Sequence, residues 1–211
     1  MPKVVLTGFG VFSGVSANPT EAIINSLKDW CLDGCDVSKI TLVCSVKYLD
    51  QFLDDLDRNN ISGNFSDDIL LVHLGVDSGS TSMKLETTAY NNMTFRVPDQ
   101  SGFTPELVRI KDIAAFDSPL ESSLNIPALC EQLKNDQWNV EVSSDPGRYL
   151  CNYIYYKSLQ LSTTRQESSR NGNCQSIFIH VPGLDVIPLE TQVAFVKSAI
   201  EIMVEKMAHK A

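Results

Sequence analysis

The sequence predicts an α/β fold with three layers, in which helices cover both faces of a mostly parallel, twisted central sheet. Short apolar, β-branched runs recur along the 211 residues and are separated by amphipathic helical patterns. No internal repeat, low-complexity tract or linker interrupts this alternation. We therefore expect a single domain that spans residues 1–211.

The first half of the chain begins with a buried strand at residues 4–6 (VVL). A helix over residues 19–30 follows, because Asn18 suits an N-cap, Pro19 a first helical position and Glu21 a capping box. Apolar spacing predicts the next elements. They are a strand over 40–46, a helix over 48–59, a strand over 69–74, and a strand over 83–90 with a returning partner at 95–97.

The second half begins with residues 103–125, whose weak periodicity predicts irregular structure. A polar segment at 162–175 is expected to form a surface loop. The other elements follow from apolar patterns. They are a helix over 126–135, a strand over 140–143, a helix that contains Cys151, a strand over 177–182, and a last helix over 188–207.

The net charge of −9 and the pI near 4.7 argue against binding of nucleic acid through a basic patch. No apolar run is long enough for a membrane span, and the N-terminus does not resemble a signal peptide. We expect a cytoplasmic protein whose six cysteines are reduced thiols. Only Cys31 and Cys35 lie close in sequence, and their spacing does not match a zinc site.

Residues 143–159 (SSDPGRYLCNYIYYKSL) are the stretch around which a site could form. They predict a strand end, a tight turn and a helix, with Ser144 or Asp145 as N-cap and Pro146 at the first helical position. Cys151 then lies near the helix start, where the positive end of the helix dipole favours a thiolate. Cys151 could be a nucleophile, or simply a small buried apolar residue.

A cysteine nucleophile needs a base and a group that orients the base. His180 ends a strand, and we expect it and Cys151 to meet at the carboxyl edge of one parallel sheet. His73, which also ends a strand, is the second candidate. Glu86 is the candidate orienting carboxylate, and Arg96 could neutralise a charge near the site. The alternatives are structural histidines, a solvated glutamate and a surface ion pair.

The loop at residues 7–14 (TGFGVFSG) follows the first strand. Its Phe9 and Phe12 either close the edge of the core or form an apolar wall beside a site at the strand end. A dinucleotide-binding loop is disfavoured, because Ser13 replaces the third glycine of that motif and the helix begins too late to hold a phosphate.

Several segments together resemble one family. They are residues 7–12 (TGFGVF) with Asn18-Pro19, 72–76 (VHLGV), 85–86 (LE) with 90–91 (YN), 145–152 (DPGRYLCN) and 178–182 (FIHVP). In this order they resemble pyroglutamyl peptidase I, or pyrrolidone-carboxylate peptidase, a family of cysteine peptidases. The resemblance covers nearly the whole chain, and the animal-type members are the most similar.

The resemblance implies a phosphorylase/hydrolase-like fold and removal of an N-terminal pyroglutamyl (5-oxoproline) residue from peptides. It implies no metal or organic cofactor, and it leaves open whether the protein is a monomer or a homo-oligomer. The roles it implies are nucleophile for Cys151, base for His180, orienting group for Glu86, walls around the pyroglutamyl ring for Phe9 and Phe12, and positions near the site for Asn18 and Arg96.

The chain departs from the family pattern at Val11, where proline is usual, at Ser13, where glycine is common, and at Pro146, where alanine is usual. The segment 162–175 also looks longer than in many members, and it could gate the site. Two other functions stay open from sequence alone. One is a nucleoside phosphorylase-like enzyme, which would need a basic phosphate site, and the other is a non-catalytic binding module.

Overall fold

The computed structural model describes residues 1–11, 18–58, 68–167 and 173–208. Within these ranges a six-stranded sheet, a two-stranded sheet and five helices are present. The strands are β1 Lys3–Phe9, β2 Asp36–Leu42, β3 Ile69–Val76, β4 Met83–Glu86, β5 Thr88–Tyr90, β6 Pro119–Glu121, β7 Val140–Ser143 and β8 Cys174–Val181. The helices are α1 Pro19–Ser26, α2 Val46–Leu56, α3 Ile126–Asn135, α4 Leu150–Glu167 and α5 Leu189–Ala208.

The central sheet has the strand order β2-β1-β3-β8-β4-β7. Strands β2, β1, β3 and β8 are parallel, whereas β4 is antiparallel to β8, and β7 runs parallel to β4. The predicted mostly parallel α/β sheet is therefore confirmed, and its last two strands run in the opposite direction.

Helices cover both faces of this sheet, which confirms the predicted three layers. Apolar side chains of α1, α3 and α5 pack with one face, where Leu6 and Leu85 belong to the same core cluster as Ile23. Helices α2 and α4 pack on the other face, where Phe178 of β8 joins a cluster with Leu53 and Ile154. Period-2 alternation along buried strands supplies both faces with apolar groups.

Local signals predicted several boundaries well. Helix α3 and strand β7 match the expected ranges, and the side-chain oxygen of Asn18 caps α1 by accepting from the Thr20 amide at 3.1 Å. Helix α1 ends at Ser26 rather than near residue 30, and β2 begins at Asp36 rather than at 40. Strand β2 is an edge strand with exposed positions, so its early residues show no apolar run.

The expected strand over 83–90 is instead two short strands, β4 and β5, in different sheets. Residues 95–97 do not pair with it. The partner of β5 is β6, which lies inside the segment expected to be irregular. A three-residue strand is too short to show a period in the sequence, and its pairing is decided by contacts remote along the chain.

The helix that carries Cys151 begins at Leu150, so the predicted capping by Ser144 or Asp145 and the predicted helical Pro146 are wrong. Asp145 forms a tight turn instead, its carboxylate accepting from the Gly147 amide at 3.2 Å. Gly147 has a φ of +76°, which interrupts any helix there and favours glycine.

The predicted surface loop at 162–175 is wrong at both ends, because α4 continues to Glu167 and β8 begins at Cys174. Residues 168–172 lie outside the described residues. Ser162 is buried, and its hydroxyl is satisfied by donating to the Ser158 carbonyl of its own helix at 2.9 Å. Ser162 lies 11 residues beyond Cys151 on the same helix (162 − 151 = 11). Within the described ranges, no helix combines the length and apolar character needed to cross a bilayer.

Candidate active site

A cavity of about 350 Å³ opens where β1, β3 and β8 end and α4 begins. Open α/β sheets commonly bind ligands at this edge. The cavity is lined by Phe9, Asn18, Cys44, Val76, Asp77, Asp145, Pro146, Gly147, Tyr149, Leu150, Cys151 and His180. It therefore brings together residues from five separate parts of the chain.

Glu86 and His180 form a buried pair beside this cavity. Strand β4 pairs with β8 so that Glu86 lies opposite Phe178, which makes Glu86 and His180 diagonal neighbours on one face. The Nδ1 atom of His180 lies 2.8 Å from Oε1 of Glu86, and both side chains are at least nine-tenths buried. Since a carboxylate only accepts, Nδ1–H donates and Nε2 is left for another partner.

Cys151 lies in the first turn of α4 and lines the same cavity as His180. The cysteine side chain hydrogen-bonds His180. Burial by itself would lower the pKa of His180, but the hydrogen bonds and negative charges of Cys151 and Glu86 raise it to about 10. His180 thus keeps its proton at neutral pH, which pairs an imidazolium with the cysteine sulfur.

The strand that precedes Cys151 does not have the expected direction relative to the strand that contains His180. His180 lies near the carboxyl end of β8, as predicted, but β7 is antiparallel to β8 and ends level with Phe178. The expectation of one parallel sheet edge for both residues is therefore wrong. Residues 144–149 connect the end of β7 to the start of α4. This connection places the Cys151 thiol at the cavity.

The predicted wall residues have different positions. Phe9 and Asn18 line the cavity, and the Asn18 amide donates to the Gly10 carbonyl at 2.9 Å. Phe12 lies outside the described residues. Arg96 is exposed and does not belong to the described cavity lining, so the geometry does not bring it to the thiol.

His73, the second histidine candidate, is fully buried in β3 away from the described cavity lining. Its Nδ1 atom lies 2.8 Å from the Thr7 hydroxyl, and its ring is tilted against Phe178. Burial lowers the pKa of His73 to about 3, so the ring is neutral and packs as part of the core.

Cys44 and Asp77 are among the cavity residues that sequence reasoning did not assign to the site. Cys44 follows β2, and burial, together with the nearby charges of Cys151 and Glu21, raises the pKa of its thiol to about 12. No sequence signal distinguished it from the other scattered cysteines. Asp77 follows β3 directly and binds Lys84 at 2.8 Å. Its place just after a buried strand was a usable signal for a cavity position.

Within the described ranges, no group of three or more histidine, cysteine or acidic side chains is arranged to hold a metal ion. The model of the pyroglutamyl peptidase family matches residues 2–206. The chain belongs to the pyroglutamyl peptidase family.

Curated relatives in this family include two archaeal pyrrolidone-carboxylate peptidases. That of Thermococcus litoralis is 29% identical over 86% of this chain and 77% of its own length. That of Pyrococcus furiosus is 27% identical over 97% of this chain and 99% of its own length. Both matches extend over most of this chain, so they are not limited to one motif.

Solved pyroglutamyl peptidase structures show the same fold. The pyrrolidone carboxyl peptidase of Fervidobacterium islandicum AW-1 superposes with a TM-score of 0.83 at 26% identity, covering 97% of this chain and 99% of the other. The Thermococcus litoralis enzyme gives a TM-score of 0.84 at 25% identity, covering 100% and 97%.

Proposed function

We propose that Cys151, His180 and Glu86 perform the reaction of this family, in which a cysteine peptidase removes the N-terminal pyroglutamyl residue from a peptide. The observation that supports it is the continuous contact from the Cys151 thiol through His180 to the buried Glu86 carboxylate, at the wall of one cavity. A nucleophile, a base and an orienting group are the parts that thiol catalysis needs.

The first chemical step is attack by the Cys151 sulfur on the carbonyl carbon that joins pyroglutamate to the next residue. His180 then donates its proton to the leaving amine as the C–N bond breaks, which leaves a thioester. In the second step His180 takes a proton from water, whose oxygen attacks the thioester carbonyl. The C–S bond breaks, 5-oxoproline is released, and the starting pair of Cys151 sulfur and protonated His180 is restored. Glu86 keeps the imidazole in the orientation and tautomer that both steps need.

The start of α4 supplies the stabilisation of the tetrahedral intermediate. The first amide groups of a helix have no acceptor within that helix, and the Tyr153 amide already bonds back to the Tyr149 carbonyl. The earlier amides, including that of Cys151, are therefore free of helical bonds at the cavity. They can donate to the negatively charged oxygen that forms during attack.

The cavity suits an uncharged five-membered lactam. Phe9, Tyr149 and Leu150 provide apolar wall, and the volume is within the range of small-ligand pockets. The Asn18 side chain donates to the Gly10 carbonyl and accepts from the Thr20 amide. We therefore assign Asn18 the role of fixing this side of the cavity wall. Phe12 is proposed as a second ring beside the lactam. Arg96 is exposed and does not belong to the described cavity lining, so we propose no direct role for it in the reaction.

A nucleoside phosphorylase-like function is not favoured by this cavity. A phosphate needs cationic side chains or a dedicated set of backbone amides. The charged side chains among the described lining residues, besides His180, are the carboxylates of Asp77 and Asp145. These repel a phosphate, which also disfavours a dinucleotide enzyme.

We propose pyroglutamyl peptides as substrates, a cytoplasmic location and one catalytic domain. All six cysteines are free thiols, and free thiols persist in a reducing compartment.

The deciding experiment measures release of a fluorescent amine from a pyroglutamyl amide by wild type and by Cys151→Ser. A prolyl amide has the same ring without the lactam carbonyl and serves as the control substrate. We expect turnover of the pyroglutamyl amide alone and its loss in the variant. No turnover by folded, reduced wild type would indicate a binding module, and turnover by Cys151→Ser would disprove the assigned nucleophile.

A further inference from the structure

We propose that Arg148 is a positioning residue that holds the loop 144–149 so that its backbone and the start of α4 can stabilise the tetrahedral intermediate. This inference rests on the proposed function and adds a residue to it. Arg148 does not belong to the described cavity lining, although its neighbours Gly147 and Tyr149 do. Any effect on the reaction therefore passes through the loop.

The guanidinium of Arg148 joins the loop to a remote part of the chain. Its Nε donates to Oδ1 of Asp117 at 2.9 Å, and its Nη1 donates to Oδ1 of Asp145 at 2.6 Å. Nη1 also donates to the Gly147 carbonyl at 2.8 Å, and the guanidinium lies 4.0 Å from the centre of the Tyr90 ring. These contacts use the planar fork that distinguishes arginine from lysine.

Two further bonds complete the attachment of the loop. The Tyr90 hydroxyl donates to the Ser144 carbonyl at 3.0 Å, and the Thr94 amide donates to the Arg148 carbonyl at 3.1 Å. The loop is therefore bound at its beginning and near its end. Between these points Gly147, with its positive φ, has no side chain to hold the backbone, so the Arg148 guanidinium supplies that contact.

The orientation of the Gly147–Arg148 peptide group explains why the guanidinium contact matters for the reaction. In a trans peptide the C=O and the following N–H point in opposite directions. Because the Gly147 carbonyl is turned toward the guanidinium, the Arg148 amide is turned away from it. The same backbone continues through Leu150 to Cys151 at the cavity wall. Donors for a developing oxyanion are effective when they are fixed before the reaction, and small displacements are costly.

The main test compares wild type with Arg148→Met, which keeps much of the side-chain length and removes the donors. We expect kcat for a pyroglutamyl amide to fall about 10²-fold while KM stays within about twofold, because the lost contact acts only in the transition state. Arg109→Met is the matched control. Arg109 is exposed and bonds only the Asp112 carbonyl among the described contacts, so normal activity is expected.

Two ligands separate this role from general damage to the cavity. The aldehyde of pyroglutamate adds the thiol to form a tetrahedral hemithioacetal, whereas 2-pyrrolidone occupies the ring pocket without reacting. In Arg148→Met the aldehyde should lose affinity by the same factor as kcat, while 2-pyrrolidone affinity and the rate of Cys151 alkylation by iodoacetamide stay unchanged. Unchanged aldehyde affinity, or a parallel loss of all three properties, would overturn the proposal.

Asp117→Asn provides a second test in case Arg148→Met does not fold. Asp117 has a φ of +55°, which asparagine tolerates, so the variant removes the charge without backbone strain. We expect a smaller fall in kcat, again without a change in KM. Equal kcat for this folded variant and wild type would count against the proposal. If wild type itself does not turn over the substrate, the proposed function fails and this inference fails with it.

Discussion

Gly75 leaves the space that the sulfur of Cys151 occupies. A Cβ atom placed on Gly75 would lie 2.9 Å from Sγ of Cys151 and 2.6 Å from Cζ of Phe178, both shorter than normal contacts. Gly75 pairs with His180 across β3 and β8, so the gap lies directly beside the histidine. The absence of a side chain at this position allows thiol and imidazole to meet.

Gly75→Ala should therefore disturb the site more than the fold. The added methyl must displace either the sulfur or the fully buried Phe178 ring, and overpacking of this kind costs about 1–3 kcal/mol of stability. We expect kcat/KM to fall at least about tenfold, because a displaced sulfur no longer meets His180. Steady-state kinetics with a pyroglutamyl amide and thermal unfolding measure the two effects. Gly79→Ala is the control, since the nearest atom to its added Cβ would be 3.5 Å away. Equal losses of kcat/KM in both variants would refute the steric argument.

The raised pKa of His180 predicts how activity changes with pH. Burial opposes the charged ring, but the bonds and charges of Cys151 and Glu86 raise its pKa to about 10. We expect kcat/KM to decline as pH rises toward 10, because the imidazolium then loses the proton it gives to the leaving amine. Alkylation of Cys151 by iodoacetamide needs no such proton and should not decline. A parallel decline of both rates would contradict this assignment.

The same pKa shift has a consequence for stability. Since the folded-state pKa of His180 is raised, its charged form contributes stability that is fully present below about pH 6.5 and is lost as pH rises through about 10.

In Glu86→Gln, the alkaline decline of kcat/KM and the loss of the stability contributed by charged His180 should both occur at lower pH than in wild type. The amide keeps the shape of the side chain but lacks the charge that helps to raise the pKa of His180. We expect kcat to fall about 10²-fold and the alkaline decline of kcat/KM to begin at a lower pH. Recording both pH profiles checks this. An unchanged alkaline limb would show that Glu86 does not act on His180.

His73 should make the fold sensitive to acid. Burial lowers its pKa to about 3, whereas in the unfolded chain it titrates near 6.5. Between these values only the unfolded state binds the proton, so the free energy of unfolding falls by about 1.4 kcal/mol for each pH unit of acidification. Urea unfolding at pH 6 and pH 5 measures this slope. His73→Gln should have a shallower slope than wild type, and identical slopes would contradict the assignment.

Gln100 should control how well the cavity binds substrate. Its side-chain amide donates to the Val11 carbonyl at 2.7 Å and its side-chain oxygen accepts from the Cys44 amide at 3.2 Å. These bonds join two segments that border the cavity. We expect Gln100→Ala to raise KM about tenfold with little change in kcat, since the wall is loosened and the thiol–histidine pair is not. The exposed Gln51 on α2 is the control position. A fall in kcat at constant KM would show that Gln100 acts elsewhere.

Some features were predictable because their causes are local in sequence. The cap at Asn18, the range of α3 and the placement of Cys151 in the first turn of a helix follow from side chains within a few residues. The start of α4 was placed wrongly, because Pro146 and Asp145 suit a helix start and a turn equally well. The buried polar end of α4 was missed, since serine hydroxyls bonded to the helix backbone do not show in an apolar pattern.

The sequence by itself determined the fold class, the family and the chemical types available, because apolar periodicity and short motifs are written in neighbouring residues. Tertiary structure alone decided that Glu86 and His180, 94 residues apart, share one hydrogen bond, that β4 and β7 reverse direction, and that Arg148 joins the loop 144–149 to Asp117. Strand direction and register depend on which remote surfaces pack together, and this is a property of the whole chain.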